Sequence, residues 1–253
     1  MRPLRLCEKF FLTTSSFPAK AQKTQRIQRV LKMIIAIDGP SGAGKSTLGR
    51  KLARELGLLY IDTGAMYRAV ALAVMESSVT ATDDLAVGSL ASRVDVDLAG
   101  DPDSLKVTLG GRDVTEQIRN EEVTRMSSVV SAIPEVRRAM VVRQREMGQR
   151  GAVLEGRDIG TVVFPDADVK FFLTAEPQQR AERRFAEEQG DKAGLAETLA
   201  DMIERDQRDS TRADSPLKIA DDAVVIDSTG ISIEEVFERM MSNVREKAEG
   251  SRQ

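Results

Sequence analysis

Eight consecutive residues, Gly39-Pro40-Ser41-Gly42-Ala43-Gly44-Lys45-Ser46, constrain this chain more than any other part of it. The apolar run Ile34 to Ile37 precedes them, and a segment that reads as a helix follows as far as Leu56. Glycine, four residues, glycine, lysine and serine between a strand and a helix is the phosphate-loop pattern, and a glycine-rich turn matching by chance would lack that order of elements. Its backbone amides and the helix N-terminus converge on one anion, while Gly42 and Gly44 allow backbone angles and close approaches that a Cβ would block. The pattern assigns Gly39 through Thr47 to a nucleoside triphosphate. Lys45 reaches the β and γ phosphates, the Ser46 hydroxyl ligates Mg²⁺, and Thr47 touches the α phosphate.

Composition narrows the chemistry further. Among 253 residues there is no His and no Trp, and Cys7 is the single cysteine. A Ser-His-Asp triad, a His base, a His-ligated metal, an intrachain disulfide and a zinc cluster are therefore excluded. Lys, Arg, Asp, Glu, hydroxyls and backbone amides remain, and these suit phosphoryl transfer, which depends on positioning and charge stabilisation. Of 37 basic and 40 acidic side chains, residues 1–32 hold eight and one, so residues 33–253 carry 29 against 39. An acidic body argues against nucleic-acid binding. No apolar run approaches the roughly 20 residues of a membrane helix, and a chain without disulfides suits a reducing cytoplasm.

Residues 1–32 are rich in Arg, Lys, Ser, Thr and Gln and lack a sustained period. They read as a disordered leader, a transit peptide, or an over-extended start before Met33. From Met33 onward, apolar runs at Ile34 to Ile37, Leu58 to Ile61, Ala152 to Leu154, Val169 to Leu173 and Ala223 to Ile226 alternate with helical segments. Helices fit Lys45 to Leu56, Ala65 to Ser77, Asp83 to Ser92, Pro134 to Arg150, Pro177 to Gln189, Ala196 to Thr211 and Ile233 to Ala248. Pro134 and Pro177 stand at helix starts and Gly57 just past a helix end.

Val94 to Leu98, Lys106 to Leu109 and the Gly110-Gly111 turn into Arg112 to Thr115 read as a small antiparallel insert. The insert is expected beside the strands' carboxyl edge as part of a substrate-closing element, a decorative hairpin being the other reading. The expected fold is α/β: one phosphate-loop domain over residues 33–253, with a five-stranded parallel sheet flanked by helices, the β insert at 94–118 and a helical lid at about 177–195.

Two further segments follow strands. Asp62-Thr63-Gly64-Ala65-Met66-Tyr67-Arg68 caps a helix with Asp62 or Thr63 and brings Arg68 out one turn later, where it can meet an anion or serve an ordinary capped helix. Gly156-Arg157-Asp158-Ile159-Gly160-Thr161-Val162-Val163-Phe164-Pro165-Asp166-Ala167 places Arg157 and Asp158 in the ligand crevice of a parallel sheet. Later, Arg205, Arg208, Asp209 and Arg212 recur on one helix face, a pattern that is commonly only solvated.

Taken together, these segments and Glu204-Arg205-Asp206-Gln207-Arg208-Asp209 resemble the bacterial cytidylate kinases of the nucleoside monophosphate kinase superfamily, from about Met33 to Lys247. The resemblance implies that the insert corresponds to the family's small sheet domain, which binds the monophosphate. It also implies that Thr63, Arg68, Arg157, Arg205 and Arg212 hold the acceptor's phosphate or its neighbourhood. Ser128, Arg137 and Asp158 match positions that read cytosine, and Asp209 one that holds the ribose hydroxyls. Arg180, Arg183 and Arg184 lie in a stretch resembling the family's lid; which of them acts is open from sequence, and Arg184 is taken with Lys45 and Arg157 as the catalytic set.

The activity implied is transfer of the γ phosphate of MgATP to CMP or dCMP by a cytoplasmic monomer. The guanine-reading Asn-Lys-x-Asp sequence and internal repeats are absent. UMP or dephospho-coenzyme A as acceptor, and a nucleotide-gated binding protein without turnover, are the competing readings.

Overall fold

Short apolar runs buried on both faces become the strands of a central sheet. A computed structural model describes residues 30–187 and 194–250 of the chain. The main sheet is parallel and contains β1 (Ile34–Asp38), β2 (Leu59–Asp62), β6 (Ala152–Gly156), β7 (Val169–Thr174) and β8 (Val224–Asp227), in the order β2-β6-β1-β7-β8. Three shorter strands, β3 (Val96–Ala99), β4 (Lys106–Leu109) and β5 (Arg112–Asp113), pair antiparallel in a second sheet. The expected fold class is the observed one. The expectations placed on residues 1–29, and on residues 188–193 of the lid, fall outside the described residues.

The helices are α1 (Lys45–Leu56), α2 (Thr63–Glu76), α3 (Asp84–Arg93), α4 (Glu121–Val130), α5 (Pro134–Gly148), α6 (Pro177–Glu187), α7 (Leu195–Thr211) and α8 (Ile233–Gly250). Strand alternation divides the core into two layers. Ile35 and Ile37 of β1, with Val153, Phe171 and Leu173, face α1 and α8. Ala36, Ala152 and Leu154 face the opposite layer, built from α2, α3, α4 and α5. The helix α4 has no counterpart in the sequence reading. Its signals were present: Asn120 accepts the Val123 N–H at 2.7 Å, Glu121 and Glu122 occupy the first turn, and Val123, Ser127 and Val130 form its buried stripe.

The small sheet is where it was expected in sequence but not in space. Its ion pairs join Asp103 to Arg54 at 2.7 Å, Arg112 to Glu76 at 2.5 Å and Asp95 to Arg143 at 3.2 Å. Arg54 and Glu76 lie in the last turns of α1 and α2, and both helices begin at the carboxyl edge and run away from it. At 1.5 Å per residue, Arg54 is about 14 Å of helix away from Lys45. The sheet's apolar side, Val96, Leu98, Val107 and Leu109, joins the core that contains α2. The helical continuation of the insert meets the carboxyl edge through Arg137 of α5, which pairs with Asp158.

Met33 donates its N–H to Val30 and accepts from Ala152, and Val30 packs on the α1 and α8 layer. Among the described residues, a chain beginning at Met33 keeps the Ala152 bond and loses the Val30 contacts and the Leu31 and Lys32 backbone beside Gly151. It is expected to keep its turnover and to melt within a few degrees of the full chain, as thermal denaturation beside an activity assay will read.

Candidate active site

Five strand ends, Asp38, Asp62, Gly156, Thr174 and Asp227, lie along one edge of the main sheet. From β1 the chain enters the phosphate loop at Gly39, whose φ of 145° lets it pass under β7; an added Cβ would run into the Leu173 carbonyl oxygen. At Gly42, φ is 71° and a Cβ would sit 2.6 Å from the Arg180 carbonyl oxygen. The loop ends at Gly44, which caps α1 without a side-chain acceptor. The first amides of α1 are thereby left for an anion.

Lys45 is buried, and its Nζ donates to the Pro40 carbonyl at 2.6 Å. Burial, reinforced by the nearby Arg157 and Arg205 charges and opposed by Glu155, pushes its ammonium down to about 7. Glu155 is itself buried between β1 and β2, and burial together with the Asp62 charge raises its carboxyl, while hydrogen bonds from the Tyr60 and Ser46 hydroxyls oppose the rise. Thr47 is exposed on the first turn of α1.

Across the crevice, Asp62 caps α2 by accepting from the Ala65 N–H at 2.8 Å and holds Arg68 at 3.2 Å. Thr63 is buried, and its hydroxyl donates to the Glu155 carbonyl at 2.6 Å. That hydrogen is committed to the strand, so towards a ligand Thr63 has its acceptor lone pairs. Arg157 donates through Nε to Asp209 at 2.8 Å, and Arg212 donates to the other oxygen of Asp209 at 3.0 Å. Arg157 and Arg212 hold the Asp209 carboxyl below its usual value although burial works against them.

Asp158 pairs with Arg137 at 2.7 Å, with side chains only 6% and 2% exposed, and lies 3.8 Å from Arg212. Arg137 also donates to the Ser131 carbonyl and faces the Tyr67 ring at 5.2 Å. Two donors here, Arg137 Nε and Arg212 Nη2, are buried without a hydrogen-bond partner among the described residues. Buried polar atoms left unpaired are costly unless something else satisfies them. Arg205 makes no hydrogen bond or ion pair among the described residues, and burial, then Arg157, lowers it to about 10.

Residues 35–246 match the cytidylate kinase family. The chain belongs to it. Cytidylate kinases of Geobacter sp. strain M21 and Solibacter usitatus are 50% identical over 218 residues and 49% identical over 226 residues. These alignments cover 85% and 87% of this chain and 94% and 96% of the relatives. The matched span contains every residue of the site just described, whereas residues 1–34 precede it.

In this cytidylate kinase family member the three arginines of α6 divide into two kinds. Arg180 is buried and donates to the Ser41 carbonyl at 2.9 Å and to Asp206 at 2.5 Å, and Asp206 accepts from the Ser41 amide at 3.2 Å. Arg183 donates to the hydroxyl and carbonyl of Ser228 at 2.9 and 2.8 Å. Both are committed to main chain and neighbours. Arg184 is more exposed, lies 3.9 Å from Glu187, and its charge bears on Arg205. Ser128 stands on α4, part-buried, with its hydroxyl 3.5 Å from the Thr124 carbonyl. Arg208 of the late cluster turns outward to Glu204 at 3.6 Å and does not join Arg205, Asp209 and Arg212.

Asp38, Tyr60, Tyr67, Glu155 and Asp206 are parts of the site that the sequence reading did not single out. A carboxylate directly after an apolar strand run, as at Asp38 and Glu155, was the available signal.

Proposed function

We propose that this chain transfers the γ phosphate of ATP to CMP or dCMP. The observation that carries the reading is the meeting of Lys45, Arg157 and Arg205 between the phosphate loop and the group Asp158, Arg137, Arg212 and Asp209. Their charges bear on one another closely enough to lower Lys45 and Arg205. Cations gathered at such a cost in an acidic chain suit a ligand carrying several negative charges. The loop holds the triphosphate, and Arg157, Arg205 and Arg68 hold the acceptor phosphate. Asp158 and Arg137, with Ser128, face the base, and Asp209 faces the ribose.

No general base is required. An oxygen of the acceptor phosphate is already anionic at neutral pH; it forms a bond to the γ phosphorus as the bond to the β-γ bridging oxygen breaks, and ADP leaves with that electron pair. The protein's share is to hold two polyanions in line and to stabilise the charge on the transferring group, through Lys45, Arg157 and Arg184.

The donor set suits magnesium bound through phosphates and water. Among the described residues no three acidic groups cluster to hold a metal, while the Ser46 hydroxyl stands at the start of α1. Ser46 would hold the ion, which when bound neutralises phosphate charge. The disulfide-free composition supports a cytoplasmic location. No helix among the described residues is long and apolar enough to cross a membrane.

ADP release with CMP, dCMP, UMP, AMP and dephospho-coenzyme A as acceptors tests the assignment. CMP and dCMP should turn over far faster than the rest. Equal rates with UMP, or a preference for dephospho-coenzyme A, would move the chain to another acceptor.

The Lys45 ammonium gives a second test. Largely neutral above about pH 7 in the free protein, it should be held protonated by the triphosphate, so MgATP binding at pH 8 should take up close to one proton. Calorimetry in buffers of different ionisation enthalpy reads that number, and no uptake would contradict the contact.

A further inference from the structure

We propose that Asp38 is a positioning residue for acceptor choice: its carboxylate, held by the backbone amides of Ile159 and Gly160, fixes the main chain that carries Asp158. The inference rests on the reading of Asp158 as a residue that meets the base.

Asp38 ends a central strand and is 4% exposed. A carboxylate there is expensive unless it is fully bonded. No cation pairs with it among the described residues. Its two oxygens instead accept one amide each, Ile159 N–H at 2.8 Å and Gly160 N–H at 2.7 Å. Burial raises its carboxyl to about 6 even though both amides, and Lys45 more weakly, work the other way, and the Asp158 charge adds to the rise.

Those two amides open a five-residue turn of wide helix, Ile159–Val163, that starts immediately after Asp158. The Asp158 carbonyl accepts the Val162 and Val163 amides at 2.9 and 3.1 Å, so the turn's later amides are satisfied from within. Its first two have no such partner, and a carboxylate at a helical N-terminus is the acceptor that electrostatics favours. The backbone of Asp158 itself, φ −144° and ψ 22°, is neither strand nor helix, so no repeating ladder fixes it. The sheet register supplies the holder: β1 and β6 pair with Asp38 opposite Gly156, two residues before Asp158.

The far side of the turn is closed as well. The Lys170 stem crosses Gly160, where an added Cβ would lie 3.1 Å from Lys170 Cδ and 3.4 Å from Asp38 Oδ2. The Lys170 ammonium is anchored on the Pro165 carbonyl and, at 2.7 Å, on Asp222. Held on both sides, the turn leaves the Asp158 side chain in one place, against Arg137 and near Arg212. A carboxylate is required because both oxygens must accept; an asparagine would present an N–H to one of the two amides.

The test is Asp38→Asn, made in the parent chain and in Asp158→Asn, with catalytic efficiency measured for CMP and UMP and KM for ATP. In the parent, the CMP over UMP ratio should fall roughly tenfold, equivalent to about 1.4 kcal/mol, through a higher KM for CMP with the KM for ATP unchanged. In the Asp158→Asn background the same substitution should leave the ratio where Asp158→Asn has set it, as two residues acting through one contact require.

Equal losses for CMP, UMP and ATP, or a full additional loss in the double variant, would overturn the positioning role. A ratio narrowed by Asp158→Asn but untouched by Asp38→Asn overturns that role alone. A ratio that Asp158→Asn leaves unchanged overturns the base reading and this inference with it. If Asp38→Asn does not fold, Asp38→Ser, which removes the charge and leaves one hydroxyl oxygen for two amides, carries the same criterion: a narrowed ratio supports the role and an unchanged one overturns it.

Discussion

Lys45→Ala is expected to lower turnover by roughly a thousandfold while the folded chain survives, since deleting one donor that stabilises developing charge costs a few kcal/mol of transition-state energy. Survival follows from the same burial that makes the residue useful. In the free protein the ammonium is held out of water beside Arg157 and Arg205, with the Pro40 carbonyl as its hydrogen-bond acceptor. Its pKa falls from the ordinary 10.5 to about 7, so between those values the unfolded chain keeps the proton that the folded chain releases. By linkage, this group's contribution to stability improves as pH rises from about 7 towards 10, and below 7 the folded chain bears the whole cost of the buried charge. The alanine variant should therefore melt no lower than the parent near pH 7, and it should lose that part of the pH dependence. Turnover above about a tenth of the parent's, a difference of about 1.4 kcal/mol, in a variant with an intact melting transition would remove Lys45 from the transfer step.

What the sequence made legible was local. The phosphate loop is eight consecutive residues whose strand, turn and helix each have their own period, and the five sheet strands are short apolar runs between helices. What it concealed depends on distant partners. Arg180 and Arg183 look alike in sequence, and they are separated from Arg184 by Asp206 and Ser228, 26 and 45 residues further along. The grip of Asp38 on Ile159 and Gly160 spans more than 120 residues. The small sheet was recognisable from its Gly110-Gly111 turn, yet its placement follows from Asp103 and Arg112 finding the far ends of α1 and α2. The helix α4 is a different case, because the Asn120 cap, the two glutamates after it and the stripe of Val123, Ser127 and Val130 all lie within eleven consecutive residues and were readable.

Base choice should respond most strongly to Asp158→Asn. Cytosine and uracil differ at ring position 4, an amino donor in one and a carbonyl acceptor in the other. An ionised Asp accepts only, so it favours the amino group and repels the oxygen, whereas an Asn can present either its oxygen or its NH₂ group. The amide is the informative replacement because its Oδ1 still accepts a hydrogen bond from Arg137, whose side chain is 2% exposed. Alanine would leave that guanidinium buried without its partner, at about 3–5 kcal/mol, and would confuse lost recognition with lost folding. A site built to pair one polar group rejects the analogue that leaves it unpaired far more steeply than shape alone allows, so the CMP over UMP efficiency ratio should fall on the order of a hundredfold. Arg157→Ala supplies the contrast. Arg157 meets Asp209 at 2.8 Å and stands by Lys45 rather than in the Asp158 and Arg137 pair. It should weaken both nucleotides alike, because the phosphate it is proposed to hold is common to them. Steady-state kinetics of the two variants with the two nucleotides separates the roles, and an equal loss for CMP and UMP in Asp158→Asn would reduce Asp158 to a structural counter-ion of Arg137.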